Sequence, residues 1–113
     1  MIIIKEIITS QELSRMAEAL FGNMVKGVVD VGRGTLALDA ELHSDLEALL
    51  LENGSNQSDL WGINLYPDQQ GDDFLEFDSL INVRPSQGNR SREVEDESLR
   101  RKIRIIIEAK VRR

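Results

Sequence analysis

Val25-Lys-Gly-Val-Val-Asp-Val-Gly-Arg-Gly-Thr-Leu-Ala-Leu-Asp-Ala-Glu-Leu42 reads as a β-hairpin, and its register decides the rest of the fold. Gly32-Arg33-Gly34 is the turn, with strands from Val25 to Val31 and from Thr35 to Leu42. Gly27, Val29 and Val31 lie on one face of the first strand, and Lys26, Val28 and Asp30 on the other. In the second strand Leu36, Leu38, Ala40 and Leu42 oppose Ala37, Asp39 and Glu41. Only a register pairing odd with even positions brings the apolar faces together, because a one-residue slip turns a whole strand over. A turn at Gly32-Arg33 sets Lys26 opposite Asp39, and one at Arg33-Gly34 sets it opposite Glu41. In both cases the outer face gathers Lys26, Asp30, Asp39 and Glu41.

Helices flank the hairpin on both sides. Upstream, Ile2 to Ile8 is a short β-branched strand. Thr9 and Glu12 follow in the spacing of a capping box, and Leu13, Met16, Ala17, Leu20 and Phe21 form one apolar helical stripe ending at Gly22-Asn23. Downstream, His43 to Asn53 is a second helix with Leu46, Leu49 and Leu50 on its apolar side, and His43 or Ser44 near its cap. Leu60 to Tyr66 is a strand with Trp61, Ile63 and Leu65 inward and Asn64 and Tyr66 outward. After a polar loop at 68–73, Phe74 to Arg84 resumes as a strand, with Leu75, Phe77, Ile81 and Val83 on one face. The last segment carries two patterns. Ile103, Ile105, Ile107, Ala109 and Val111 alternate as in a strand, whereas Leu99, Ile103, Ile106, Ile107 and Val111 form a helical stripe behind an Asp96 cap. Acidic residues leading and basic residues trailing favour the helix, which suits the macrodipole, and the strand stays open. The order β-α-β-β-α-β-β-α, with helices on one face of a mainly antiparallel sheet, predicts an α+β two-layer sandwich.

The 113 residues suffice for a single domain over 1–113. With 41% hydrophobic and 30% charged residues, the balance is that of a folded soluble chain. The absence of cysteine excludes disulfides, thiolate zinc sites and cysteine nucleophiles. No apolar run approaches the ~20 residues that span a bilayer, so no membrane partner is expected. Met-Ile-Ile-Ile-Lys-Glu at the start is neither a secretory signal nor a transit peptide, and the expected compartment is the cytoplasm. The net charge of −6 is unevenly spread. Residues 1–89 hold 5 basic and 15 acidic side chains, and residues 90–113 hold 9 basic and 5 acidic. An acidic body repels phosphate backbones, so nucleic acid is not an expected partner for it.

Three features could carry chemistry. The polar sheet face would present Lys26, Asp30, Asp39, Glu41, Asn64, Glu76, Asp78, Asn82 and Arg84. Its blander reading is a solvated antiparallel face. Within it, Asp39, Glu41 and His43 alternate about 7 Å apart along a strand, as candidate catalytic groups or ligands for Mn, Fe or Zn. Alternatively His43, the only histidine, simply opens the second helix. The third feature is the loop Arg84-Pro-Ser-Gln-Gly-Asn-Arg-Ser-Arg92, whose Arg84, Ser86, Gln87, Asn89, Arg90 and Arg92 could hold a phosphate or carboxylate. It matches no named phosphate motif, and its arginines could instead pair with Asp78 or Glu76. Trp61, Tyr66, Phe74 and Phe77 read as core and edge residues. No serine-hydrolase elbow or metalloprotease helix motif is present, and no cofactor is required.

The blocks at 39–43, 47–55, Asp59-Leu-Trp-Gly-Ile-Asn-Leu-Tyr-Pro67 and Ile81-Asn-Val-Arg-Pro-Ser-Gln-Gly-Asn-Arg-Ser-Arg92 resemble a family of small prokaryotic proteins catalogued only as a domain of unknown function. The resemblance implies a cytoplasmic single-domain protein and assigns no residue a role. The expectation is therefore a binding or interaction module that uses the polar face and the 84–92 loop. Its partner would be a second copy or an acidic protein surface. The alternative is a small metal-assisted hydrolase acting on a phosphorylated or carboxylated substrate.

Overall fold

The computed structural model describes residues 1–113. The elements run β1 (Ile2–Ile4), β2 (Ile8–Thr9), α1 (Ser10–Leu20), β3 (Val25–Asp30), β4 (Thr35–Leu38), α2 (His43–Glu52), β5 (Leu60–Leu65), β6 (Leu75–Glu76), α3 (Glu97–Lys110) and β7 (Val111–Arg112). Five strands form one antiparallel sheet in the order β1-β4-β3-β5-β6, and β2 pairs in parallel with β7 apart from it. The mixed α+β class and the mainly antiparallel sheet are those expected.

The hairpin forms in the register that pairs odd with even positions, Gly27 with Leu38 and Val29 with Leu36. Of the two turns considered, this register is the Gly32-Arg33 one, and the amide of Asp39 reaches the carbonyl of Lys26 at 3.3 Å. The second strand is shorter than expected because Asp39 turns the chain with a φ of 77°, a left-handed conformation that ends the ladder. Upstream, the single strand expected over 2–8 is interrupted at Lys5–Ile7, so its two halves join different sheets. The capping box of α1 is made as the sequence requires, with Thr9 Oγ1 accepting from the Glu12 amide at 3.2 Å. The C-terminal segment is a helix, capped by Asp96, and only Val111–Arg112 is extended.

Helices cover both faces of the sheet, which corrects the expectation of one wholly open polar face. Leu13 and Ala17 of α1 and Ile103 and Ile107 of α3 pack on Val29, Leu36, Leu38, Trp61, Ile63 and Leu65. The opposite face carries Val28, Ala37 and Leu60, buried beneath Leu46 and Leu50 of α2. Fully burying each of those two leucines contributes roughly 1.5–3 kcal/mol, enough to hold a ten-residue helix that propensity alone would not. Asp30 was expected on the solvated face and is instead wholly buried. One of its oxygens accepts the amides of Gly32 and Arg33, both at 2.9 Å, and the other accepts the Ser55 hydroxyl at 2.6 Å. It closes the hairpin turn and ties it to the end of α2. Arg33 adds a bond from its guanidinium to the carbonyl of Asn53 at 2.7 Å.

The strand expected from Phe74 to Arg84 exists only at Leu75–Glu76. Beyond it the chain makes single helical turns at Leu80–Asn82 and Pro85–Gln87. Phe77 still reaches the main core, while Val83, expected beside it, is exposed. Beyond Phe77 the alternation has no strand behind it, because the segment is held by the Asn82 and Asn89 side chains and by backbone bonds of Ser79 to Arg92 and Arg84 to Asn89.

Candidate functional site

The second face of the sheet is built in rows. Because β3, β4 and β5 are in register, Val28, Ala37 and Gly62 form one row across the strands, and Lys26, Asn64 and Glu76 form the next. A ten-residue helix is about 15 Å long and covers only part of such a face. Thus α2 buries the first row and leaves the second open. The result is a cleft of about 540 Å³ whose floor is Lys26, Asn64, Tyr66 and Glu76. One wall is the start of α2, with Leu42, His43 and Ser44, and the other is the segment holding Asp78, Leu80 and Arg92. Leu42 is 55% and Leu80 71% exposed, so the rim is apolar where the floor is polar.

Asn64 is the centre of the floor and is 4% exposed. Its amide nitrogen donates to Glu76 Oε1 at 2.8 Å and to the carbonyl of Asp78 at 3.1 Å. Both partners are acceptors, which fixes the orientation of the carboxamide. Its oxygen then points elsewhere and receives no donor, the one buried side-chain polar atom in the protein left without a partner. Such an atom is costly, of order 1–3 kcal/mol when buried and unmatched. The neighbouring His43 does not relieve it while its ring is neutral, and only the protonated ring has a second N–H for the Asn64 side chain. His43 Nε2 donates to the carbonyl of Ile63 at 2.9 Å, so the neutral ring has an unprotonated Nδ1. Burial pushes the His43 pKa below its ordinary value, and Lys26 acts in the same sense. The Ile63 carbonyl, the Asn64 side chain and Asp78 act against it without reversing it. Tyr66 donates to Glu76 Oε1 at 2.8 Å, and burial together with that bond raises its pKa to about 12. Tyr66 is therefore protonated throughout the physiological range.

The far wall is held by two asparagines. Asn82, expected to point to solvent, is wholly buried. Its oxygen accepts the Gly62 amide at 2.8 Å, and its nitrogen donates to the Gly62 carbonyl at 2.9 Å and the Arg92 carbonyl at 3.0 Å. One carboxamide thus serves as the missing neighbour strand for Gly62. Gly62 has to be glycine, since a Cβ there would lie 2.4 Å from the Cβ of Ser79. Asn89 donates to the carbonyls of Asn82, Ser91 and Glu93 and accepts the amide of Glu95. The Arg90 and Ser91 amides in turn bind Glu95 Oε2, both at 2.8 Å, and hold that carboxyl below the usual range.

Of the residues singled out in the sequence, the structure brings Lys26, Asn64, Glu76 and Asp78 of the polar face to the cleft together with His43 and Arg92, and leaves Asp30, Asp39, Glu41, Asn82 and Arg84 out of its lining. No three His, Asp or Glu side chains gather in a metal-binding arrangement, so Asp39 and Glu41 do not join His43 in one. Asp39 occupies the strand end, and Glu41 is exposed beside it. In the 84–92 loop, Arg84 forms an ion pair with Glu47 at 3.1 Å, donates to the Gln57 carbonyl and stacks 4.9 Å from the Trp61 ring. Burial lowers its pKa and the Glu47 carboxylate opposes that. Gln87 donates to the Ser58 carbonyl, Arg92 pairs with Asp78 at 2.8 Å, and Ser86 and Arg90 are exposed. The loop is a strut across the protein, with most of its donors committed internally.

Several of the basic C-terminal residues are likewise engaged, while Arg101, Lys102 and Arg112 are exposed. Arg100 and Arg104 lie 4.9 and 5.8 Å from the Phe77 ring, and Arg113 lies 4.1 Å from that of Phe74. The residues that sequence reasoning missed are Tyr66, Ser44, Leu42 and Leu80. Only Tyr66 had a signal, as an outward strand position beside Asn64. No helix is long and apolar enough to cross a membrane. No curated protein and no solved structure matches the chain. The family model described as a protein of unknown function (DUF5674) matches residues 2–110, and the chain belongs to that family.

Proposed function

We propose that the protein is a binding module that takes up a small polar ligand in the cleft over Asn64. The observation that carries this reading is the Asn64 oxygen, buried, fixed in orientation and without a donor. The oxygen is closed to solvent in the empty protein, so a ligand N–H or O–H that displaces the side chains over it would supply that donor and recover the desolvation cost the empty protein bears. The cleft volume, about 540 Å³, lies in the range of small-molecule sites, and the apolar rim at Leu42 and Leu80 suits a ligand with a hydrocarbon part. Tyr66 is tied to Glu76 and raised far from neutrality, and His43 is anchored to Ile63 through Nε2 with its Nδ1 left as an acceptor. A fixed, hydrogen-bonded floor of this kind fits binding. The 84–92 loop contributes by bracing the wall that carries Asp78, Leu80 and Arg92.

The test is a library of small polar fragments screened by amide NMR of the isotopically labelled protein. Donor-bearing fragments shift the Asn64 side-chain amide together with Ser44 and Leu80 at millimolar concentration, and Asn64→Ala loses the response. A library that leaves all three resonances unmoved overturns the reading.

A further inference from the structure

Resting on that reading of the cleft, we propose that its ligand is a zwitterion of the α-amino-acid type carrying an apolar side chain. The argument comes from the order of groups along the open row. Asn64 lies between Lys26 on one neighbouring strand and Glu76 on the other, in direct register with both. The two charged residues are thus two strand spacings apart, about 10 Å between their Cα atoms, with Asn64 between them.

Neither charge is neutralised by the protein. Lys26 has no carboxylate within ion-pair distance and rests 5.0 Å from the Phe21 ring. Glu76 has no cationic partner, and its accepted bonds from Asn64 and Tyr66 both fall on Oε1. A ligand lying along the row therefore meets a cation at one end and an anion at the other. An ammonium group is also the type of donor that the Asn64 oxygen, turned away from Glu76, lacks. At the Lys26 side the wall is the start of α2, whose cap residue Leu42 offers no side-chain bond. The amides of His43 and Ser44 are accordingly unpartnered donors at the positive end of a helix, complementary to a carboxylate. Arg92 does not disturb this polarity, because Asp78 already pairs with it. Leu42 and Leu80 at the rim are the surface left for an apolar side chain.

A matched set of three probes tests this: L-norleucine, n-pentylamine, which lacks only the carboxylate, and hexanoate, which lacks only the ammonium. Affinities come from NMR titration of the Asn64 side-chain amide. Norleucine binds about tenfold or more tighter than either truncated probe, since each deletion removes a charge-assisted contact. Glu76→Gln keeps an acceptor for Asn64 and Tyr66. It weakens norleucine and pentylamine while leaving hexanoate unchanged. Lys26→Gln weakens norleucine and hexanoate while leaving pentylamine unchanged. Dispersed amide spectra of both variants establish that they fold. Pentylamine or hexanoate binding as well as norleucine overturns the inference, as does the absence of this reciprocal pattern. A non-zwitterionic fragment that moves Asn64 when norleucine does not overturns the ligand class and leaves the binding reading intact. If neither norleucine nor any library fragment moves it, both fall.

Discussion

Two buried asparagines sit on the same face of β5 and its neighbourhood, and they are used in opposite ways. Around Asn82 every polar atom of the carboxamide has a partner, and three stretches of chain converge on it. Around Asn64 the nitrogen is doubly engaged while the oxygen has nothing. A satisfied buried amide fixes a fold, whereas a half-satisfied one is a cost the fold bears unless something outside the chain removes it. That contrast separates the brace of the molecule from its site.

The contrast breaks first at Asn82. Asn82→Ala leaves the Gly62 amide and carbonyl unpaired beneath Ser79, and unfolding in urea should show a loss of about 3 kcal/mol or more. Asn64→Ala removes an unsatisfied oxygen along with two bonds, and should cost only about 1 kcal/mol by the same measure. Equal losses would mean that Asn64 is as structural as Asn82. A second comparison lies between the loop arginines. Arg84 and Glu47 have side chains only 10% and 15% exposed, whereas Arg92 and Asp78 are 56% and 40% exposed. Arg84→Ala strands a poorly hydrated carboxylate and uncovers Trp61, for about 2–3 kcal/mol. Arg92→Ala should change stability by about 0.5 kcal/mol or less in ordinary salt, so the two urea midpoints should separate clearly.

The smallest effect concerns pH. Burial depresses the His43 pKa in the folded protein below the value of about 6.5 that the unfolded chain shows. Below that pH the unfolded state binds the proton more readily, so this contribution is present above pH ~6.5 and is lost as pH falls toward the folded pKa. Urea midpoints at pH 7.5 and 5.5 should therefore differ in the wild type and less so in His43→Gln. An equal pH response in the two proteins would remove His43 as its source.

The elements with local causes were legible in the sequence. Thr9 and Glu12 cap α1 through atoms three residues apart, Asp96 caps α3, and hydrophobic alternation sets the hairpin register. The polar row was legible in part, since strand parity alone puts Lys26, Asn64 and Glu76 on one face. Parity could not say that Asp30 closes a turn on that same face, nor that Asn82 caps an interrupted strand. Asp39, Glu41 and His43 looked collinear only on the assumption of an unbroken strand, and the left-handed Asp39 removes that assumption.

By itself, then, the sequence determined the order of elements, the faces of the strands and the uneven charge, because each depends on residues near one another along the chain. The tertiary structure alone decided which half of the second face is covered. That outcome depends on where a ten-residue helix comes to rest and which distant amides it leaves unpaired, and no local pattern encodes either. The open half holds Lys26, Asn64 and Glu76 because Leu46 and Leu50 have their apolar counterparts, Val28, Ala37 and Leu60, only at the other end.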